Sequence, residues 1–124
     1  MALVLVVDDE AAVRRALRRL LERAGHRVVE AESGTAALAA LSAEPDIAVV
    51  VSDVIMPGLD GLTFYDHVVA RWPHLRHRVI FLTGSAREPD VHLALEARGA
   101  PLLGKLGDLQ LVVDAVRLAL IDGR

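Results

Sequence analysis

The chain has no cysteine, so disulfides and thiolate chemistry are excluded. Aromatics are scarce, with one tryptophan, one tyrosine and two phenylalanines in 124 residues, and the 53% hydrophobic content rests on Ala, Val and Leu. No apolar run approaches the roughly 20 residues that cross a bilayer. The opening MALVLVVDDE lacks a basic segment and reaches carboxylates too early for a signal peptide. Nor is there a basic excess: a net charge of −3 argues against a general nucleic-acid binder. Lysine is nearly absent as well. Thirteen of the fourteen basic residues are arginine, and Lys105, close to Gly104 and Gly107, is the exception. A single cytoplasmic domain over residues 1–124 is the expectation from length and composition.

What is present is an alternation of apolar runs and helical patterns. LVLVV (3–7) and IAVVVS (47–52) are continuous and β-branched, as strands buried on both faces should be. RVVE (27–30), RVIFL (78–82) and PLL (101–103) read as three more strands. Between 10 and 24, Val13, Ala16, Leu17, Leu20, Leu21 and Ala24 share one helical face, with Gly25 as a stop. Further helices are expected over 35–41, over 61–71, after SAREPD with Pro89 in the first turn, and from an Asp108 cap to about Ile121. Short links between strands and helices imply a parallel sheet covered on both faces.

In such a sheet, ligands bind beyond the carboxyl ends of the strands, where strand order reverses. The first strand runs into Asp8, Asp9 and Glu10, the third into Asp53 and the fourth into Thr83, while Lys105 follows the fifth. The second ends in EAES, without a comparable cluster. Taken singly, each has a plainer explanation: a helix cap for Asp8–Asp9, turn chemistry for Asp53, a hydroxyl turn for Thr83, a solvated charge for Lys105. Together they supply one site. Carboxylates crowded at a sheet edge raise a pKa unless a cation lies between them. A hard divalent ion such as Mg²⁺ suits this oxygen-rich set. The site would then accept a phosphoryl group, with Thr83 donating a hydroxyl, Lys105 a point charge, and a carboxylate serving as nucleophile.

On LVVDDE, VSDVIMPGLDG around Asp53, FLTG around Thr83 and the single Lys105, the chain resembles a bacterial two-component response-regulator receiver domain of the chemotaxis-regulator kind, over essentially its whole length. The resemblance implies a flavodoxin-like, doubly wound α/β fold with five parallel strands in the order 2-1-3-4-5. It implies that Asp53 takes a phosphoryl group from a phosphohistidine on a sensor kinase or histidine phosphotransfer protein. Asp9 and Asp53 would bind Mg²⁺ directly, Asp8 mainly through water, and Ile55 through its carbonyl. Thr83 and Lys105 would contact phosphoryl oxygens, and Gly84 would leave room beside Thr83.

Two positions depart from the family pattern. Leu102 stands where members usually carry the Tyr or Phe that moves with Thr83, and Leu106 replaces a proline whose peptide bond is usually cis. The bond at Leu106 is therefore expected to be trans, with Gly104 and Gly107 supplying backbone freedom. The chemistry should survive these changes, whereas the usual output switch at Thr83 and Leu102 is altered.

Arg14, Arg15, Arg18 and Arg19 gather on the polar side of the first helix, as a solvated face or a dock for an acidic or mixed partner. In the last helix, Leu109, Val112, Val113, Val116 and Leu120 form the core stripe. Leu111, Ala115 and Leu118 form a second stripe that either widens the core or makes a patch for homodimerisation or an effector. His74 and His77 read as surface residues. The expected role is a phosphoacceptor rather than an enzyme with its own substrate. A Mg²⁺-dependent aspartyl phosphatase of the haloacid-dehalogenase kind would carry D-x-D where this chain has adjacent Asp8 and Asp9, and a flavodoxin-like cofactor binder would need hydroxyls there. A receiver-like interaction domain that is never phosphorylated is the remaining alternative.

Overall fold

Five parallel strands lie side by side in the order β2-β1-β3-β4-β5. The computed structural model describes residues 2–55, 58–84, 89–105 and 107–122. Along the chain these form β1 (Leu3–Val7), α1 (Ala11–Arg23), β2 (Arg27–Ala31), α2 (Gly34–Ala43), β3 (Ile47–Asp53), α3 (Gly61–Arg71), a 3₁₀ turn (Pro73–Leu75), β4 (Val79–Thr83), α4 (Pro89–Ala97), β5 (Leu102–Gly104) and α5 (Gln110–Asp122).

Alternate residues of a strand face opposite sides of a sheet, and here both sides are covered. Leu3, Leu5 and Val7 of β1 join Ala37, Leu41, Phe64, Val68 and Leu95 under α2, α3 and α4. Val4 and Val6 join Leu17, Leu21, Val112 and Val116 under α1 and α5. The continuous apolar runs of β1 and β3 follow from this, since neither face of a central parallel strand meets water. Among the described residues no helix is long and apolar enough to cross a membrane.

The elements fall where the periodicity puts them, with local adjustments. Gly25 takes φ +95° just past α1, a left-handed conformation that suits glycine. Ala24 is exposed at the helix end instead of sharing the buried face. The second helix starts one residue earlier than expected because the Ser33 hydroxyl accepts the Ala36 amide at 3.1 Å, and it runs on to Ala43. Both β4 and β5 sit one residue later than expected. The Arg78 amide is used by the turn, donating to the Leu75 carbonyl at 2.9 Å. Pro101 has no amide for the ladder, so β5 starts at Leu102. The Asp108 carboxylate accepts the Gln110 amide at 2.9 Å and leads into α5.

On α5, Val112, Val113 and Val116 are buried as expected. Of the second stripe, Ala115 packs partly buried against the core, whereas Leu111 and Leu118 are about half exposed and do not widen it. The core is already closed by the Val112–Val116 face, and these leucines point away from it. His74 and His77 are exposed.

Candidate functional site

The strand register brings the acidic and basic residues to one edge. Val7 pairs with Ser52, Asp53 with Leu82, and Thr83 with Gly104. Asp8, Asp53, Thr83 and Lys105 therefore occupy the carboxyl ends of four adjacent strands, around the point where β1 and β3 separate in chain order. Asp53 is the last residue of β3, and the next amide, Val54, donates to the Leu82 carbonyl at 3.0 Å. The strand thus ends in a rigid position. Lys105 is tied equally closely, its amide donating to the Thr83 carbonyl at 2.8 Å.

The Lys105 ammonium is the hub. Its side chain is 10% exposed, and Nζ lies 3.1 Å from Asp53 Oδ2, 3.0 Å from Asp8 Oδ2 and 2.8 Å from Glu10 Oε1. A cation between crowded acids is what the sequence requires if those acids are to share an edge. Burial alone would lower the lysine pKa, but hydrogen bonds to Glu10, Asp8 and Asp53 override it and hold the ammonium charged above its usual value. For Asp8, burial is the larger influence. It pushes the carboxyl above the usual range, against the Glu10 amide and Lys105.

Asp8 is the most deeply buried of the three loop carboxylates, 1% exposed, whereas Asp9 and Glu10 face solvent. Its Oδ1 accepts the Glu10 amide at 2.8 Å. Its Oδ2 is near the ammonium but not aligned with it, and makes no hydrogen bond among the described residues. Carboxylate oxygens of Asp8, Asp9 and Glu10 all lie within 4.8 Å of one another. A buried carboxylate oxygen with an ion pair to Lys105 but no hydrogen bond, beside two solvent-facing acids, fits a hard divalent cation.

Ile55 lies two residues past Asp53, its side chain half exposed and its amide donating to Asp53 Oδ1 at 3.2 Å. Met56 and Pro57 of the central motif, and the peptide bond at Leu106, lie outside the described residues. A Cβ added at Gly84 would meet Lys105 Cδ at 3.6 Å, so the lysine stem runs directly past that glycine. Gly104 lies within β5 and takes no left-handed conformation, so the freedom expected of it is not used. The turn beyond is closed by the Gly107 amide on the Gly104 carbonyl at 3.3 Å. Leu102 pairs with Phe81 in the sheet and packs, partly buried, on the α2–α4 side of the core.

Glu10, Arg14 and Arg18 have a larger part here than their sequence context suggests. Glu10 ends the acidic run, yet the family resemblance gives it no metal or phosphoryl role. It occupies the N-cap of α1 without capping it, because its carboxylate reaches Lys105 instead. Arg14 and Arg18 belong to the side of α1 expected to be a solvated face or a dock, yet both bond Glu30 of β2, at 3.1 and 2.8 Å. Of the four, Arg14 is mostly covered, Arg18 keeps 43% of its side chain exposed while paired to Glu30, and Arg15 and Arg19 are exposed. A carboxylate at the end of the second strand was the available signal, but the pairing depends on α1 packing beside β2.

This arrangement has relatives. The family described as response regulator receiver domain matches residues 4–117. A crystal structure of a response regulator receiver domain protein from Clostridium thermocellum is 32% identical and superposes with a TM-score of 0.86, covering 98% of this chain and 95% of that one. A chemotaxis protein CheY homolog of Campylobacter jejuni is 35% identical over 95 residues, 76% of this chain and 73% of that protein. The C4-dicarboxylate transport regulator DctD of Rhizobium meliloti is 38% identical over 94 residues, 76% of this chain but 19% of that protein. The chain thus spans about a fifth of DctD and, with 53% coverage, about half of the regulator FixJ of Azorhizobium caulinodans. With its strand order, its acidic edge and a family match over nearly all its residues, the chain belongs to the response regulator receiver domains of two-component signalling.

Proposed function

We propose that Asp53 is the phosphoacceptor, taking its phosphoryl group from a phosphohistidine on a sensor kinase or a histidine phosphotransfer protein. One observation carries this: a single buried ammonium bridges Asp53 and Asp8, at 3.1 and 3.0 Å, at the carboxyl edge of the sheet. An Asp53 carboxylate oxygen attacks phosphorus, forming an O–P bond as the P–N bond breaks. The imidazole leaves with that electron pair and takes a proton from solvent. Lys105 then follows the new negative charge to a phosphoryl oxygen, and Thr83 donates its hydroxyl to another. Asp8, Asp9, Asp53 and the Ile55 carbonyl would hold Mg²⁺, with Glu10 close enough to join them. Bound there, Mg²⁺ would offset the carboxylate crowding and the charge on the transferring group.

The domain acts as a relay and not as an enzyme with a substrate of its own. Exposed Arg15 and Arg19 on α1 form the face that meets an acidic partner. Leu111 and Leu118 on α5 form the apolar surface for a second copy or an effector. Its setting is the cytoplasm, where two-component kinases present their phosphohistidine.

Incubation with acetyl phosphate and Mg²⁺ should add one acid-stable, base-labile phosphoryl group, located by mass spectrometry of peptides. Asp53→Ala should take up none. Retention of the group in that variant would assign the acceptor elsewhere.

A further inference from the structure

Phosphoryl transfer at Asp53 leaves a mostly buried arginine without a role. Arg14 lies in the first turn of α1, its side chain 16% exposed. Its Nε donates to Glu30 Oε1 at 3.1 Å, and one terminal nitrogen donates to the Asp8 backbone carbonyl at 2.6 Å. Asp8 is held from other directions too. Its amide donates to the Ala31 carbonyl at 3.1 Å, and its Oδ1 accepts the Glu10 amide at 2.8 Å. Every polar atom of Asp8 is thereby hydrogen-bonded except Oδ2, which is buried and lies 3.0 Å from the Lys105 ammonium.

We infer that Arg14, held in place by Glu30, is a positioning residue for the divalent cation, fixing the Asp8–Glu10 loop so that its carboxylates stay grouped. This rests on the metal site described under Proposed function. The Asp8 carbonyl and amide set the plane of the two peptides flanking its Cα, and so the direction in which the carboxylate projects. With the Arg14 bond removed, that carbonyl loses a charge-assisted partner in a partly buried place, and the loop is free to turn.

Arginine suits the task because Nε and a terminal nitrogen are separate donors on one rigid plane and serve two fixed acceptors at once, whereas the donors of an ammonium share one nitrogen that must lie within hydrogen-bond distance of both. Charge balance points the same way. A lone guanidinium beside Asp8 would repel a divalent cation, but Glu30 faces it directly. Arg18 takes the other Glu30 oxygen at 2.8 Å and Glu22 at 3.5 Å, leaving two cations matched by two carboxylates. Groups that orient ligands without touching the metal typically change affinity by about 10–100-fold when removed.

The test is calorimetric titration with MgCl₂ of the wild type and of Arg14→Gln, Arg14→Lys and Arg18→Gln, alongside the melting temperature of each. Arg14→Gln should bind about tenfold more weakly. Arg14→Lys, which keeps the charge and is the safer variant for folding, should also weaken, because it cannot make both bonds. Arg18→Gln breaks an ion pair to the same glutamate without touching Asp8 and should bind as the wild type does, even where its melting temperature falls. Equal affinity in the wild type and both Arg14 variants overturns the inference. Equal weakening in Arg14→Gln and Arg18→Gln also overturns it, showing that the network merely supports the fold. A wild type with no saturable Mg²⁺ binding removes the site itself, and the inference with it.

Discussion

Lys105 meets three carboxylates from two segments of chain within 3.1 Å while only a tenth of its side chain is exposed. A compact ammonium with three rotatable donors can serve acceptors on several sides, and can move from a carboxylate to a phosphoryl oxygen by rotating its stem. A guanidinium presents a fixed planar fork and prefers paired oxygens. The one lysine among fourteen Lys and Arg residues thus stands where its acceptors lie on several sides. A second single-residue constraint lies at Gly61, whose amide donates to the Val54 carbonyl at 2.8 Å. A Cβ there would sit 2.8 Å from that oxygen and 3.0 Å from Val54 Cα, both backbone atoms that follow directly on Asp53. Gly61→Ala should therefore cost about 1–3 kcal/mol, as overpacking does. Urea denaturation measures it, and a loss below a few tenths of a kcal/mol would mean that the segment gives way freely.

At the level of elements, α1 and β2 are joined by charge as well as by packing. The Arg18 guanidinium holds the Glu30 carboxyl below the usual range; partial burial opposes this, and Arg14 adds to it. A carboxyl with a depressed folded-state pKa binds fewer protons folded than unfolded, so its contribution is complete above the unfolded value of about 4.3 and fades as pH falls through the folded one. The difference in melting temperature between the wild type and Glu30→Gln should thus be level from about pH 7 to pH 5 and close below about pH 4. A gap that persists unchanged to about pH 3 would show that Glu30 acts through packing alone. On the other side of the sheet, Arg98 closes a two-pronged contact on Asp66 at 2.9 and 3.2 Å, tying the end of α4 to α3. The carboxyl end of α4 is thereby fastened to its neighbour.

Across the whole molecule, packing and electrostatics pull in opposite directions. The two apolar layers draw the strands into register, and that register forces Asp8, Asp9, Glu10 and Asp53 to one edge, where Lys105 is the shared cation. A ligand that binds the folded state alone stabilises it, by about 2.7 kcal/mol at 100 times its dissociation constant. Saturating Mg²⁺ should raise the melting temperature of the wild type accordingly. Asp9 is exposed and stands among like charges, so Asp9→Asn should melt higher than the wild type without Mg²⁺, by about 0.5 kcal/mol at low salt, while losing most of the Mg²⁺-dependent gain. A variant that melts lower in both conditions would contradict the crowding, and one that keeps the full gain would remove Asp9 from the metal site.

The order of elements was legible from the residues because its causes are local. LVLVV and IAVVVS are apolar on both faces, Gly25 stops α1, and Asp108 leads into α5. The main site residues were legible for a related reason: in a parallel sheet each strand delivers its next polar residue to the same edge, so Asp8, Asp53, Thr83 and Lys105 needed only the strand ends to be found. Which acid takes which partner was not local. Glu10 leaves its helix unsatisfied to reach Lys105, ninety-five positions away. Arg14 and Arg18 turn from an apparent docking face to Glu30, and Leu111 and Leu118 stand outside a core that Val112 and Val116 already fill. Local sequence determines where strands and helices begin and which residues arrive at the edge. Only the packing of α1 against β2, and of β5 beside β4, decides the distances between charges, and those distances settle which carboxylates Lys105 holds and which arginines remain free for a partner.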